Sequence, residues 1–249
     1  MGRNDKGYDI ESGWNIRHGD HNDEALYPIM LESPQLRWAF IRKVYAIISM
    51  QLLLTAAVAA AVVFYRPIPD FFVKTKLGLV AYIAIIIFTF ILMIPLFYFH
   101  KRHPLNLFLL ALFTIAIAFS VGLSCAYTKG RIILEAAILC CVVVVSLTLY
   151  TFWAVKRGWD FSFLGPFLFA SLLVLMFFSL IQILFPLGKL TLMIYSAVAS
   201  IIFCGYIIFD TDNMIKRHSY DDYIWAAVAL YIDIINLFLT LLNLLKFSD

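Results

Sequence analysis

The stretch "YIWAAVALYIDIINLFLTLLNLL", residues 223–245, has the composition of a membrane-spanning helix at every position except one. About 20 consecutive apolar residues cross the hydrocarbon core of a bilayer. This segment is long enough, but it carries an acid, Asp233, in its interior. An Asp at the centre of a spanning helix costs about 2.5–3.5 kcal/mol on insertion scales. Asp233 is therefore a candidate functional residue.

The whole chain has the composition of an integral membrane protein. Of its 249 residues 63% are hydrophobic and 14% are charged, with a mean hydropathy of +0.90, whereas soluble domains carry about 25% charged residues. The net charge of +3 is spread over short loops, which indicates neither a nucleic-acid surface nor a polybasic lipid anchor. All four cysteines lie in apolar stretches, and we interpret them as small core residues without chemistry: Cys125, Cys140, Cys141 and Cys204.

Long apolar stretches predict seven transmembrane helices. They cover residues 44–65, 77–100, 103–128, 136–155, 161–188, 190–209 and 223–245, and only the last contains a charge. The connectors are too short to hold a second folded domain. We predict an all-α integral membrane protein with two regions: a cytosolic N-terminal tail over 1–37, largely disordered with an interfacial end, and a seven-helix transmembrane domain over 38–249.

The distribution of Lys and Arg predicts the orientation of these helices. The tail before the first span and the loops on its side of the membrane carry about twelve of the nineteen basic residues. Loops rich in Lys and Arg remain in the cytosol. We therefore expect a cytosolic N-terminus and a C-terminus on the opposite side.

A second acid, Asp210, lies at the end of the sixth span. If the last two spans form an antiparallel hairpin, residues equidistant from its turn lie level, and the midpoint between Asp210 and Asp233 falls at 221–222. Each acid is followed three positions later by an amide, Asn213 or Asn236, on the same helix face. We expect these four side chains to converge.

Two carboxyl groups held together in a medium of low dielectric constant should share a proton and titrate as one unit. When ionised, the pair offers hard oxygen ligands that suit Ca²⁺. Asp210 and Asp233 are thus candidates for a pH sensor and for a transient Ca²⁺ site. The structural alternative is an acid that pairs with a cationic or protonated neighbour to lock helices together. The other acids of the region, Asp212, Asp221 and Asp222, are expected to be solvated or to cap helices.

Several strings resemble the transmembrane Bax-inhibitor-motif family, also called the Lifeguard proteins. They are "IYSAVASIIFCGYIIFD", "FDTDNMI", "DDYIWAAVALYIDIINLF" and "LLNLLKF". Two more, "LYPIMLESPQLRWAFIRKVY" and "KRHPLNLFLLALFT", resemble the plant Lifeguard branch in particular. The resemblance extends from about residue 27 to the end of the chain.

The resemblance implies a seven-helix bundle around a central last helix. It also implies a calcium leak from internal stores that restrains stress-induced cell death, in the endoplasmic reticulum or another endomembrane. The family's paired aspartates, a pH-sensitive gate, correspond to Asp210 and Asp233, and Arg102 is the nearest match to a basic residue of its closed state. The implied partners are the lipid bilayer, Ca²⁺ as the transported ion and membrane proteins of the cell-death machinery, with no nucleic acid, no cofactor and no enzymatic activity.

Three other classes of protein remain as alternatives. A non-conducting scaffold that inhibits cell death fits the same sequence. A seven-helix receptor requires an N-terminus outside the cytosol, against the charge distribution. An intramembrane aspartyl protease has its second acid in a Gly-x-Gly-Asp context followed by Pro-Ala-Leu, and neither string occurs around Asp233.

Overall fold

The computed structural model describes residues 34–185 and 188–248, which form eight α-helices. In chain order these are α1 (Pro34–Phe64), α2 (Pro67–Lys74), α3 (Lys76–Phe99), α4 (Leu105–Cys125), α5 (Gly130–Lys156), α6 (Leu164–Leu184), α7 (Lys189–Lys216) and α8 (Tyr223–Ser248). A 3₁₀ turn, Tyr220–Asp222, joins α7 to α8. Within the described ranges, seven helices are long and apolar enough to cross a membrane, which confirms the predicted number of spans.

Helix α1 is longer than a bilayer requires. Its 31 residues extend about 46 Å at 1.5 Å per residue, whereas the hydrocarbon core is about 30 Å thick. The helix begins at Pro34 and runs without a break through Trp38, Arg42 and Lys43. Residues 1–33 of the predicted tail lie outside the described part of the chain.

Helix α8 occupies the centre of the bundle. It packs against α1, α4, α5 and α7, and its contact with α7 is the most extensive between any two helices. A larger share of its apolar segment is buried than in any other spanning helix. The phenol of Tyr231 is fully buried and shares a 2.8 Å hydrogen bond with the hydroxyl of Thr55 on α1. The prediction of an all-α membrane protein with a central last helix is confirmed.

Helices α1 and α4 approach each other closely where both carry small residues. A Cβ atom added to Gly122 would lie 3.0 Å from the Cα of Ala59 and 2.8 Å from the Cβ of Val62. Small residues at such crossings let helix backbones pack closely in a membrane, where dispersion contacts replace the hydrophobic effect as the main attraction. This crossing fixes α1 against the bundle.

Helix α2 lies in a connector where the apolar pattern predicted no helix. It begins with Pro67 at the first helical position, which suits the fixed φ angle of proline. The ammonium of Lys74 lies 2.9 Å from the Asp70 carboxylate, and the hydroxyl of Tyr127 donates to the same group at 2.8 Å. These two hydrogen bonds, with Lys74 the stronger influence, lower the pKa of Asp70. At eight residues α2 is too short for a span.

All four cysteines are free, and three of them are at least partly buried, as predicted for core residues. Cys125 and Cys140 are buried and Cys204 is partly buried, as expected of core residues. Cys141 is exposed on the outer surface of α5, so its interpretation as a core residue is wrong. Successive helical positions point about 100° apart, and α5 turns Cys140 toward the core and Cys141 away from it.

Candidate functional site

The α7–α8 hairpin brings Asp210 and Asp233 into direct contact. Their carboxyl groups lie close enough to interact with each other. The 3₁₀ turn at Tyr220–Asp222 lies at the midpoint between the two acids, as the equidistance argument requires. The hairpin therefore brings these two acids together.

The pair lies in a largely apolar part of the bundle. Asp233 is 5% exposed and Asp210 is partly buried. One carboxylate oxygen of Asp233, Oδ2, is buried without a hydrogen-bond partner among the described residues. A buried, unsatisfied polar atom costs about 1–3 kcal/mol, and a charged one costs more. Such a cost persists where the atom serves a purpose other than stability.

Only one of the two predicted amides joins the pair. The Asn213 side chain interacts with Asp210, and its Oδ1 atom has no hydrogen-bond partner within the described ranges. Asn236 is partly buried on α8, but the hydrogen bonds of the pair do not include it. Spacing places each amide on the face of its own acid but does not fix the side-chain rotamer.

Arg102 lies outside the bundle, in the turn between α3 and α4. It is exposed, and its guanidinium lies 5.6 Å from the centroid of the Phe99 ring. Its side chain is not among the groups that interact with Asp210 or Asp233. The structure does not bring the predicted basic residue to the pair.

Tyr206 is a neighbour of the pair that the sequence analysis missed. It interacts electrostatically with both aspartates, and its hydroxyl donates to the carbonyl of Leu168 on α6 at 2.9 Å. It precedes Asp210 by four positions, and i,i+4 spacing places the two side chains on one helix face. That spacing was the signal in the sequence.

The structure also corrects the predicted position of Asp212. The sequence analysis assigned it to solvation or capping, but it lies inside α7 and has no exposed surface. Its Oδ1 lies 2.7 Å from the ammonium of Lys216, one turn later. Lys216 also donates to the carbonyl of Trp159 at 2.6 Å. Since α7 extends beyond the apolar stretch 190–209, Asp212 falls within the helix and against the α5–α6 loop.

The start of α1 holds the end of α7. The guanidinium of Arg37 donates to the carbonyl of Met214 and, at 2.8 Å, to that of His218. These carbonyls lie at the C-terminus of α7, where helical partners are missing and a cation is favourable. Burial lowers the pKa of the neighbouring His218; Asp222 opposes this effect and Arg37 adds to it.

The α7–α8 turn is also held to the end of α3. Asp222 accepts hydrogen bonds from the hydroxyl and backbone N–H of Ser219 at 2.6 and 3.2 Å. Its other oxygen lies 3.5 Å from the His100 ring and 3.7 Å from the Lys101 ammonium. The turn that sets the register of the two aspartates is thus attached to α1 and α3.

Within residues 34–185 and 188–248, no group of three or more His, Cys, Asp or Glu side chains could hold a metal ion. Among the described residues, the acids that interact at this site are Asp210 and Asp233. A resident metal usually takes more protein ligands than two carboxylates. The arrangement therefore suits a proton or a passing cation.

Sequence comparison gives the family. The family described as "Inhibitor of apoptosis-promoting Bax1" matches residues 37–249. The chain belongs to the Bax inhibitor family. It is 61% identical to Protein LIFEGUARD 4 of Arabidopsis thaliana over 97% of this chain and 96% of the relative, and 62% identical to Protein LIFEGUARD 2 over 95% and 99%.

A more distant relative is also named for an effect on apoptosis. The Golgi anti-apoptotic protein of Vaccinia virus (strain Lister) is 36% identical over 87% of this chain and 89% of its own length. This name and the family description both refer to the inhibition of apoptosis. The resemblance to the Lifeguard proteins is confirmed, and this Bax inhibitor family member is a multi-pass membrane protein.

Proposed function

We propose that this Bax inhibitor family protein is a pH-sensitive calcium leak channel of an internal membrane that limits stress-induced cell death. The supporting observation is the contact between the carboxyl groups of Asp210 and Asp233 inside the bundle. Other acids of the described helices have different surroundings: Asp212 has Lys216 at 2.7 Å, whereas Asp233 has another acid.

The chemistry of this pair supports a gate that responds to protons. A hydrogen bond between two carboxyl groups requires a proton on one of them. Two adjacent negative charges are costly in a medium of low dielectric constant, so the proton stabilises the contact. When it leaves, the carboxylates repel each other and become hard oxygen ligands for Ca²⁺. The unpaired Oδ1 of Asn213 offers a further ligand.

The surrounding contacts support a closed state. The α7–α8 turn is held by Arg37 of α1 and by the charge contacts of Asp222 with His100 and Lys101. Separation of the aspartates requires movement of α7 relative to α8, and these contacts lie at the end of that hairpin. The pair and the turn then act as one closed unit.

Reconstitution tests this function directly. Purified full-length protein is placed in liposomes that contain a calcium dye, and influx is measured at two pH values. We expect calcium entry whose rate changes with pH, and a loss of this change in Asp233→Asn. Asp221→Asn is the matched control, because Asp221 is an exposed acid in the turn of the same hairpin. Absence of flux from well-folded protein would favour the non-conducting scaffold.

The remaining parts of the proposal concern location and partners. The membrane is the endoplasmic reticulum or another endomembrane, with the N-terminus in the cytosol as the Lys and Arg distribution indicates. Ca²⁺ is the transported ion, and the protein acts without a cofactor and without enzymatic activity. Its effect on cell death involves membrane proteins of the death machinery. An aspartyl protease would instead cleave a membrane-embedded peptide in the same liposomes.

A further inference from the structure

The first residue of α8, Tyr223, is buried and contacts three other segments of the chain. Nε2 of His103, in the turn between α3 and α4, lies 2.6 Å from the Tyr223 hydroxyl oxygen. Nδ2 of Asn106 on α4 lies 3.0 Å from the same oxygen. The ammonium of Lys43 on α1 lies 3.3 Å from the centroid of the tyrosine ring. One side chain therefore attaches the start of the central helix to α1, to α4 and to the α3–α4 turn.

The hydrogen bonds of Asn106 fix which way its amide points. The side chain has no exposed surface. Its Oδ1 accepts from the backbone N–H of Leu107 at 2.8 Å, and its Nδ2 donates to the carbonyl of His100 at 2.9 Å. A backbone N–H only donates and a carbonyl only accepts, so exchange of the amide oxygen and nitrogen would lose both bonds. Nδ2 therefore donates its second proton to the Tyr223 oxygen.

The direction of this bond determines the protonation state of His103. A phenol has a single proton to donate. Since the Tyr223 oxygen accepts from Asn106, its own proton points to Nε2 of His103, the other partner of this oxygen among the described residues. Nε2 must then be an acceptor, which requires a neutral imidazole that carries its proton on Nδ1. The contact is therefore specific for one form of the histidine side chain.

Protonation of His103 removes this acceptor. With a proton on both ring nitrogens, the Nε2–H and the Tyr223 O–H would point at each other. The phenol proton would have to turn away from its partner, which leaves a buried group unsatisfied. The charged ring would also place a second cation beside the tyrosine that Lys43 already contacts. His103 is exposed, so solvent protons reach its ring.

The acid nearest to Tyr223 in the chain does not restore the lost contact. Asp222 lies 3.5 Å from the His100 ring and 3.7 Å from the Lys101 ammonium. Protonation of His100 strengthens its contact with Asp222, so that pair responds to acid with the opposite sign. The other charged or titratable side chains close by along these segments are Arg42 and Lys43 of α1, Arg102 of the α3–α4 turn, and His218, Tyr220 and Asp221 before α8.

We propose that His103 is an acid-sensitive latch on the central helix. The neutral ring accepts the proton of Tyr223 and holds the start of α8 to the α3–α4 turn, and protonation of the ring releases that end of the helix. Asp233 follows Tyr223 by ten residues, about 15 Å along α8. The latch does not rest on calcium conduction, because it concerns the attachment of a helix. Acid opens this contact, whereas a proton closes the aspartate pair in the proposed function.

A double-mutant cycle in thermal unfolding of the full-length protein in detergent tests the latch. Its members are the wild type, His103→Leu, Tyr223→Phe and the double variant, measured at pH 8 and at pH 5, on either side of the range where imidazoles titrate. At pH 8 we expect each single change to lower the Tm by about 2–4 °C and the double change to lower it little further. At pH 5 the two changes should be additive. The cycle cancels other groups that titrate in this range, such as His218. Coupling that is absent at pH 8, or no weaker at pH 5, would overturn the proposal.

Two variants show whether the titration belongs to His103. His103→Gln is the conservative change, because its amide oxygen accepts from Tyr223 and does not titrate. Its coupling with Tyr223→Phe should persist at pH 5. His100→Gln is the matched control, since this neighbouring histidine contacts Asp222 instead of Tyr223. In the His100→Gln background, the coupling between His103 and Tyr223 should still disappear on acidification. A coupling that persists in that background would assign the pH response to His100.

Nitrogen NMR of protein with isotope-labelled histidine keeps the test decisive if Tyr223→Phe does not fold. The signals that disappear in His103→Gln belong to His103. At pH 8 they should show a proton on Nδ1 and an unprotonated Nε2 that accepts a hydrogen bond. A proton on Nε2 at pH 8 would mean that His103 does not accept from Tyr223, and the proposed latch would be wrong.

Discussion

The ammonium of Lys216 lies 2.7 Å from the carboxylate of Asp212, a side chain of α7 with no exposed surface. The same ammonium donates to the Trp159 carbonyl at 2.6 Å and lies 3.4 Å from the Asp160 carboxylate. One lysine thereby joins the end of α7 to the α5–α6 loop. This contact lies two residues from Asp210 and concerns the stability of the helix that carries it.

Removal of Lys216 should be strongly destabilising. Lys216→Met leaves the Asp212 carboxylate buried without its cation, and breaking a buried pair in this way typically costs about 3–5 kcal/mol. The double variant with Asp212→Asn should recover part of that loss, since it removes the unpaired charge. Thermal unfolding in detergent measures both. The control is Lys101→Met, whose side chain is 58% exposed. A Lys216→Met protein as stable as this control would contradict the prediction.

The two aspartates should behave as one unit in calcium flux. Asp210→Asn and Asp233→Asn each remove one carboxyl group and preserve side-chain volume, so folding should survive and the pH dependence of flux should flatten. The double variant should add little to either single change, because interacting groups are non-additive. Flux through liposomes across a pH series is the measurement. Unchanged pH profiles in both single variants would make Asp233 a structural residue.

The choice of control for that experiment depends on the structure. Asp212 stands two positions after Asp210 and is the nearest other acid along the chain. Its buried ion pair with Lys216 means that Asp212→Asn disturbs α7 itself. Asp221→Asn alters an exposed acid in the same turn and should retain the wild-type pH response.

His218 should make the α7–α8 turn sensitive to acid. Its pKa in the folded protein is below the ordinary value of 6.5 because the ring is largely buried. A lowered folded-state pKa means that the neutral ring stabilises the fold above pH 6.5 and that this contribution is lost as the pH falls through the lower, folded-state value. The melting temperature should therefore fall on acidification, and less so in His218→Gln. Equal falls in both proteins would exclude His218 as the cause.

The termini should lie on opposite sides of the membrane. Seven spans and the Lys and Arg distribution place an N-terminal tag in the cytosol and a C-terminal tag across the bilayer. Protease protection of tags in intact microsomes should show cleavage of the first tag only. Equal accessibility of both tags would mean an even number of spans.

The sequence by itself determined the class of the protein and its central pair. Apolar stretches report spans directly, because the bilayer requires about 20 apolar residues whatever the neighbouring helices do. Asp233 could be found because a charge inside such a stretch is costly. Asp210, which follows the stretch 190–209, could be found because a hairpin places equidistant residues level. Tyr206 with Asp210 and Asp212 with Lys216 are also i,i+4 pairs. The predicted stretch 190–209 ended before Asp212 and Lys216, so it did not suggest that these two share a helix.

Only the tertiary structure decided which polar side chains join the pair and which do not. Asn213 contacts Asp210 whereas Asn236 and Arg102 do not, because rotamers and helix rotation depend on packing between distant segments. The Arg37 guanidinium donates to the carbonyls of Met214 and His218, which follow it in the chain by 177 and 181 positions. No local sequence pattern encodes such a contact. The transmembrane spans can be predicted because each depends on the bilayer around its own helix. The contacts of the site depend on how distant helices pack together, which the sequence alone does not give.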